Sequence, residues 1–246
     1  MPTTQPKGTL YGVGVGPGDP ELITLKALRI LDSCSVIAHP GKTHDSGVAL
    51  QCVRPLLAGF HTKTILACEV PMTKDAETLE AAYEANAKEL QKHLDAGEDV
   101  AFLNLGDPTI YGSYMILHEK LVAAGYEAHI IPGIPSFCAA AAALEKQLCY
   151  RGEELHIIPA SYDLEEAIKL KGTKVFMKSG KKYEELRELL QKQQANVDVV
   201  CNASMDNQIC YEGVANMPPT AAYLTLVLVY DRLDNNKSSK NLNKIT

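Results

Sequence analysis

The chain has 246 residues, a net charge of −6, and 46% apolar against 22% charged residues. This composition is typical of a globular protein and excludes a disordered chain, and the length fits one large or two small domains. The acidic balance and the absence of a basic run argue against a nucleic-acid partner. No apolar run approaches the ~18 residues that a membrane-spanning helix needs, so no membrane association is expected.

The cysteines indicate a reducing compartment. All seven are scattered along the chain, and none is spaced as C-x-x-C. This pattern argues against a disulfide framework and against a zinc ribbon. The N-terminal residues 1–12 carry no signal-peptide hydrophobic core, so a cytoplasmic location is expected.

The first half of the chain alternates predicted strands and helices. Strands are predicted at 10–15, 34–39, 100–105 and 128–131, and helices at 47–57, 76–96 and 112–124. Asp19 and Pro20 predict a helix start, with Asp19 as the N-cap. The core face of that helix is expected to carry leucines at three-residue steps, namely Leu22, Leu25, Leu28 and Leu31.

The second half continues this alternation. Helices are predicted at 137–144, 164–170 and 183–193, and strands at 155–158, 174–177, 197–201 and 224–230. The alternation predicts an α/β fold of two α/β domains with mostly parallel sheets and a ligand cleft between them. The Pro/Gly-rich segment 132–135 sets the predicted domains at 1–131 and 132–233, followed by a polar tail at 234–246 that is expected to fray.

Three glycine-containing loops carry the ligand-binding signal. The first, GVGVGPGDP at 12–20, lies between a strand and a helix, where backbone N–H groups can approach an anion. It departs from the dinucleotide fingerprint G-x-G-x-x-G, so an NAD-binding domain is disfavoured. A tight turn without a ligand stays the alternative. The segment Gly41-Lys42-Thr43 lacks the earlier glycine of a phosphate-binding loop and is predicted to be an ordinary loop.

The second and third loops also follow predicted strands. In LNLGDPTIYGS at 103–113, Asp107 lies at the carboxyl end of a strand, where α/β sheets bind ligands, although it could simply cap the next helix. The third loop, IPGIPS at 131–136, enters an alanine-rich helix, and tight packing explains the alanines equally well. The sequence shows no metal-ligand spacing and no hydrolase nucleophile motif, so no protein-bound metal is expected.

In this order, the three loops resemble those of the tetrapyrrole (corrin/porphyrin) methyltransferases, which use S-adenosylmethionine. The matching segments are GVGVGPGDPELITLKA at 12–27, GDPTIYGS at 106–113 and PGIPSFCAAAA at 132–142. Within the family, GDPTIYGSYMILHEKL and the segment 70–72 most resemble the enzymes that methylate carbon 20 of precorrin-2 or cobalt-factor II in cobalamin biosynthesis.

The resemblance implies a set of S-adenosylmethionine-binding residues and a homodimer. The first loop would contribute Pro17 and the third Pro135 and Ser136. The methionine and ribose side would be held by the second loop, with Leu105, Gly106, Asp107 and Ile110, and with Tyr111 and Ser113 nearby. Met177 and Ala203 would line the adenine. The chain departs from the family at Pro135 and Ser136, and at Lys178, where a glycine is common.

The implied reaction is attack of carbon 20 on the methyl group, followed by loss of a proton. Asp107 and Tyr223 are the expected candidates for the base, with Lys178 as an electrostatic partner. The acceptor carries many carboxylates and needs a locally basic surface. The residues expected to supply it are Arg54, Lys42, Lys178, Lys181 and Lys182.

Other functions stay open at this point. The same fold serves the siroheme-forming uroporphyrinogen III methyltransferase and diphthine synthase. A different class, a regulatory module that binds a nucleotide or anion without chemistry, would also use glycine loops. Preference for S-adenosylmethionine over ATP or NAD separates that class from a methyltransferase.

Overall fold

The computed structural model describes residues 6–159 and 162–231, and it divides the chain into two compact units. The first unit ends at Ser136 and the second starts at Phe137, whereas the predicted domain boundary follows residue 131. The predicted end of the second domain at 233 and the polar tail at 234–246 lie outside the described residues.

The first unit contains a five-stranded sheet with helices on both faces. All its strand pairs are parallel, in the order β3-β2-β4-β1-β5. Its strands are β1 (Leu10–Gly14), β2 (Val36–His39), β3 (Thr64–Ala67), β4 (Val100–Asn104) and β5 (Ala128–Ile131). Its helices are α1 (Leu25–Ser33), α2 (Val48–Val53), α3 (Ala76–Asp95) and α4 (Tyr114–Ala123).

Alternate residues of these strands pack into two different cores. Val36 and Phe102 lie in the core formed with α3 and α4, whereas Ile37 and Leu103 lie in the core formed with α1 and α2. This follows from the two-residue period of a strand, which sends neighbouring side chains to opposite faces. Both faces of the sheet are therefore covered, as parallel sheets require.

The second unit contains a mixed sheet in the order β6-β7-β10-β8-β9. Its strands are β6 (Leu155–Pro159), β7 (Thr173–Met177), β8 (Asn196–Cys201), β9 (Ile209–Glu212) and β10 (Thr225–Tyr230). Its helices are α6 (Leu164–Lys169) and α7 (Tyr183–Lys192), preceded by α5 (Ser136–Ala143), which begins at the end of the first unit.

The α/β class with mostly parallel pairing is confirmed over the described strands, but the antiparallel pairs are concentrated in this second sheet. Only β6 and β7 pair in parallel, and the other three pairs are antiparallel. Two of these pairs arise because β10 inserts between β7 and β8 in the opposite direction, and the third is the pair of β8 with the consecutive strand β9. Since β9 and β10 both run antiparallel to β8, the chain crosses over β8 between them, through a connection that contains a short 3-10 turn.

The predicted helix after Asp19 is wrong in one respect. Asp19 caps a 3-10 turn only, Pro20–Leu22, and α1 starts later, with the Thr24 hydroxyl accepting a hydrogen bond from the Ala27 amide at 3.1 Å. Leu25, which was predicted in the core, is therefore the first residue of α1 and is 79% exposed. Steps of three residues rotate by about 300° in a 3.6-residue helix, so such leucines drift off one face.

Candidate functional site

The first and second loops join through their backbones at the ends of β1 and β4. The Gly106 amide donates to the carbonyl of Gly16 at 2.7 Å, and the Val15 amide donates to the carbonyl of Asn104 at 3.0 Å. Gly16 and Gly106 both have left-handed backbones, with φ of 79° and 76°, which favour glycine. Pro17, the predicted residue of the first loop, follows Gly16 in the chain and is buried.

Asp107 joins the second loop to the third. One of its carboxylate oxygens accepts the Gly133 amide at 2.9 Å, and the other accepts the amide and hydroxyl of Thr109 at 2.8 and 2.5 Å. The carboxylate is therefore held on both oxygens, and its side chain is nearly buried. Asn104 also contacts this residue, because its Nδ2 donates to the carbonyl of Asp107 at 3.1 Å. Neither Thr109 nor Asn104 was identified from the sequence as a residue of the site.

These hydrogen bonds affect the pKa of Asp107. Burial raises the pKa of its carboxyl, but the bonds from the Thr109 hydroxyl and from the Gly133 and Thr109 amides outweigh that effect and lower the pKa overall. Asp107 is thus ionised at neutral pH, and such a carboxylate is a weak base.

Two glycines, Gly14 and Gly133, allow the loops to come together. A Cβ atom built on Gly14 would lie 2.5 Å from the Gly133 nitrogen and 2.8 Å from the Gly106 carbonyl oxygen, closer than real Cβ atoms come. A Cβ built on Gly133 would lie 2.8 Å from the backbone of Gly14. The loops that follow the carboxyl ends of the adjacent strands β4, β1 and β5 therefore pack backbone against backbone, with Gly14 and Gly106 buried. In α/β sheets this edge is where ligands bind.

The other predicted residues of the first unit lie along the same loops. Leu105 and Ile110 are half-buried, and Tyr111 is 43% exposed with a left-handed φ of 52°. Ser113 is the N-cap of α4, and its side chain makes no capping hydrogen bond. Pro135 and Ser136, at the end of the third loop, are half-buried. All nine predicted cofactor residues of this unit lie on the three loops or where a loop enters the next helix: Pro17, Leu105, Gly106, Asp107, Ile110, Tyr111, Ser113, Pro135 and Ser136.

The remaining predicted residues share one edge of the second sheet. Met177 ends β7, Ala203 follows β8, and Tyr223 precedes β10, which runs antiparallel to both. Lys178 has a left-handed φ of 54°, and desolvation lowers the pKa of its ammonium although the residue keeps accessible surface. Ala203 is buried, whereas Tyr223 is 76% exposed.

The residues expected to form a basic surface differ in their partners. Lys42 lies 3.8 Å from the carboxylate of Glu69, and Arg54 lies 3.6 Å from that of Asp45. In the second unit, the Lys182 ammonium donates to the carbonyl of Tyr162 at 3.1 Å. The side chain of Lys181 lies outside the described residues. Both cations of the first unit are thus paired with carboxylates of the chain itself.

Metal and membrane features were searched over residues 6–159 and 162–231. Within these ranges, no group of three or more His, Cys, Asp and Glu side chains is placed to hold a metal ion. None of the helices described there is both long and apolar enough to cross a membrane.

The fold is that of an α/β protein of two units, and in the first unit three glycine-containing loops join at the carboxyl edge of a parallel sheet. The family model of the tetrapyrrole (corrin/porphyrin) methylases matches residues 9–217. This match covers well over half of the chain, so the protein belongs to the tetrapyrrole methylase family. The resemblance noted from the three loops is confirmed.

Relatives with assigned names are moderately similar in sequence. The cobalamin biosynthesis protein CobIJ of Mycobacterium bovis is 35% identical over 195 residues, which are 75% of this chain and 38% of that protein. The chain thus spans well under half the length of CobIJ. The probable cobalt-precorrin-2 C(20)-methyltransferase of Methanocaldococcus jannaschii is 34% identical over 200 residues, which are 81% of this chain and 84% of that protein.

Solved structures share the fold at lower identity. Uroporphyrin-III C-methyl transferase from Thermus thermophilus, complexed with S-adenosyl homocysteine, has a TM-score of 0.69 at 21% identity and covers 91% of this chain and 98% of that chain. Cobalt precorrin-4 methyltransferase CbiF has a TM-score of 0.69 at 21% identity, covering 90% of this chain and 94% of that one. These structures support the two-sheet α/β fold.

Proposed function

We propose that the chain transfers a methyl group from S-adenosylmethionine to carbon 20 of precorrin-2 or cobalt-factor II, a step of cobalamin biosynthesis. The observation that carries this proposal is the similarity to the Methanocaldococcus jannaschii protein, because the alignment spans most of both chains. A precorrin-2 C(20)-methyltransferase of Sinorhizobium is 40% identical over 135 residues, 52% of this chain and 54% of that protein.

The ligand edge of the first unit fits S-adenosylmethionine. Glycine at positions 14 and 133 lets the three loops pack backbone against backbone, which holds the Asp107 carboxylate and the Gly106 turn together at the carboxyl ends of the strands. When bound, S-adenosylmethionine supplies an electrophilic methyl group on a sulfonium. We propose that Leu105, Gly106, Asp107 and Ile110 hold the methionine and ribose, with Tyr111 and Ser113 nearby. Pro17, Pro135 and Ser136 would contact the cofactor from the first and third loops, and Met177 and Ala203 would line the adenine.

The protein's own part in the reaction is positioning, exclusion of water and removal of one proton. Asp107 and Tyr223 stay the proposed bases, and Lys178 the proposed electrostatic partner. The lowered pKa of Asp107 makes it a weaker base than an ordinary carboxylate. Its hydrogen bonds to Gly133 and Thr109 give it a second task, that of holding two loops in place.

Other substrates within the family are the main alternative. A precorrin-4 C(11)-methyltransferase of Mycobacterium tuberculosis is 31% identical over 138 residues, 56% of this chain and 48% of that protein. This identity is lower than the 34% and 40% of the two C(20)-methyltransferases, which favours carbon 20 over carbon 11. The siroheme-forming methyltransferase, diphthine synthase and a regulatory module without chemistry stay the further alternatives.

We also propose that the protein acts in the cytoplasm as a homodimer and binds neither nucleic acid nor membrane. The ligand cleft predicted between the domains stays a prediction. Size-exclusion chromatography with light scattering measures the oligomeric state directly, and a monomer at assay concentration would contradict the dimer.

An anaerobic assay tests the reaction. Purified protein is mixed with S-adenosylmethionine and either precorrin-2 or cobalt-factor II, and the product is analysed by mass spectrometry and carbon-13 NMR. We expect the mass gain of one methyl group, located at carbon 20. Binding of S-adenosylmethionine without methylation of either acceptor would keep the family and move the search to its other substrates. Equal or tighter binding of ATP or NAD would contradict the methyltransferase proposal.

Two variants test the proposed bases. Asp107→Asn and Tyr223→Phe are expected to slow turnover of the macrocycle. Tyr150→Phe is the matched control, because Tyr150 is also an exposed tyrosine of the second unit, with 53% accessibility against 76% for Tyr223. Full turnover by both variants, with folding unchanged, would show that neither side chain removes the proton.

A further inference from the structure

His39 is a buried polar residue that the reaction proposed above does not use. It ends β2 and is fully buried, and neither of its ring nitrogens makes a hydrogen bond of good geometry to a described residue, although a backbone contact with His44 acts to raise the pKa of the ring. Buried polar groups in proteins are nearly always paired, since leaving one unpaired is unfavourable. An unpaired imidazole of this kind therefore needs an explanation.

The ring is covered by the segment 40–47, which we call the cover loop. A Cβ on Gly41 would lie 2.6 Å from Nδ1 of His39, and one on Gly47 would lie 2.7 Å from it. The two glycines thus let the backbone close directly over the imidazole. The loop is also tied to β3, because Nδ1 of His44 lies 2.7 Å from the carbonyl oxygen of Ile65.

His39 lies on the ligand edge of the first sheet. β2 runs parallel to β4, with Ala38 opposite Phe102, so His39 and the loop that follows β4 leave the sheet in the same direction. That second loop carries Gly106 and Asp107. The imidazole and the three joined loops therefore lie at the same carboxyl edge, the edge at which α/β sheets bind ligands.

Two cationic side chains at the cover loop form ion pairs with carboxylates of the same chain. Lys42, within the loop, pairs with Glu69 at 3.8 Å, and Arg54 pairs with Asp45 of the loop at 3.6 Å. The side chains of these pairs are 48 to 83% exposed. Exposed ion pairs contribute little stability, so a ligand with several carboxylates can displace them. Two of the contacts that hold the loop are thus ion pairs, and the carboxylates of such a ligand can take the place of Glu69 and Asp45 in them.

We propose that His39 is a substrate-binding residue that hydrogen-bonds a carboxylate of the macrocycle once the cover loop moves off its ring. Lys42 then leaves Glu69, and Arg54 leaves Asp45, and both pair with other carboxylates of the same substrate. The inference rests on the proposed function, because it takes a carboxylate-bearing macrocycle as the ligand. Burial is the main reason that the pKa of His39 is lowered, so before binding the ring is neutral and offers one donor and one acceptor.

Substitution of His39 tests the inference through binding. His39→Leu removes two unpaired polar atoms, so the variant should fold and unfold at the same or a higher temperature than the wild type. Its Kd for uroporphyrin III, a stable octacarboxylate macrocycle, should rise about tenfold, as expected for the loss of one hydrogen bond to a charged group. The KM for the methyl acceptor should rise by a similar factor, and the affinity for S-adenosylmethionine should not change.

Two further variants make the result specific. His39→Asn keeps an amide near the position of Nδ1 and should restore part of the binding. His61→Gln is the matched control, because His61 is an exposed histidine of the same unit, and it should bind like the wild type.

Wild-type affinity of His39→Leu for uroporphyrin III would overturn the inference, as would an equal loss in His61→Gln. The binding assay needs no turnover, so it separates this inference from the proposed reaction. If the wild type methylates neither acceptor, the proposed function fails whatever the binding result.

Discussion

Replacement of Gly14 by alanine should separate the three joined loops. The new Cβ would lie 2.5 Å from the Gly133 nitrogen, 2.7 Å from its Cα and 2.8 Å from the Gly106 oxygen. Since real Cβ atoms essentially never come closer than 3.0 Å, the loops must move apart by at least 3.0 − 2.5 = 0.5 Å. All three neighbours are backbone atoms, so no side chain can turn away to relieve the contact.

The expected loss of stability follows from what these backbones carry. Forcing atoms into a packed region costs about 1–3 kcal/mol. The movement also stretches the bonds from Gly106 to Gly16 and from Gly133 to Asp107, of 2.7 and 2.9 Å, each of which contributes about 1–2 kcal/mol. The gain from a stiffer unfolded chain, about 0.4–1 kcal/mol, offsets only part of this. The net destabilisation should be about 2–4 kcal/mol.

Urea unfolding followed by circular dichroism measures this loss, and calorimetric titration measures the affinity for S-adenosylmethionine, which should fall as well. Gly59→Ala is the matched control, because a Cβ there meets only the Thr62 hydroxyl at 3.4 Å and the φ of Gly59 is −97°. That variant should stay within about 0.5 kcal/mol of the wild type. Equal unfolding midpoints for Gly14→Ala and the wild type would refute the reasoning.

Three further predictions concern charge and thiol reactivity. Asp107→Asn should destabilise the fold by about 1–3 kcal/mol at neutral pH, and the difference in urea midpoint should shrink as the pH falls below the ordinary carboxyl pKa of 3.8, because the folded pKa is the lower one. An undiminished difference at low pH would contradict this. Lys146→Ala removes an ammonium 2.7 Å from the fully buried Asp198 and should cost about 3–5 kcal/mol in thermal unfolding, whereas Lys92→Ala, at an exposed pair, should cost less than about 1 kcal/mol. Equal losses would show that burial is not the cause. Burial raises the pKa of Cys34 to about 12, so this thiol should react with a disulfide reagent at mildly alkaline pH only after urea unfolds the protein. Rapid labelling of Cys34 in the native protein would contradict this burial.

Local signals in the sequence predicted most helices and strands, including the end of α3 at Gly97, whose φ is 80°. The split before α1 was missed, because Asp19 and Thr24 are both good N-caps and only tertiary contacts decide which one starts the α-helix. The strands β3 and β9 were also missed. Each has only four residues and few buried side chains, so neither shows a clear alternation.

The order of strands in the second sheet could not be read from the sequence. A run such as β10, with all six residues buried, predicts a central strand but says nothing about its direction. The candidate site was predicted in part for a similar reason. Loop glycines and Asp107 are visible as motifs, whereas the partners of Asp107 depend on how distant segments meet. The burial of His39 likewise depends on the cover loop, so an isolated histidine gave no signal.

The shared backbone contact of Gly14, Gly106 and Gly133 also bears on how fast the ligand edge moves. Loops normally open far more readily than core strands. Here the amide protons of Gly106 and Gly133 are held by bonds that cross between loops, so their exchange with solvent deuterium requires the ends of β1, β4 and β5 to separate. Slow hydrogen exchange at these loop positions would show that the edge is already ordered before any ligand binds. The protein therefore loses little conformational entropy when a ligand binds there.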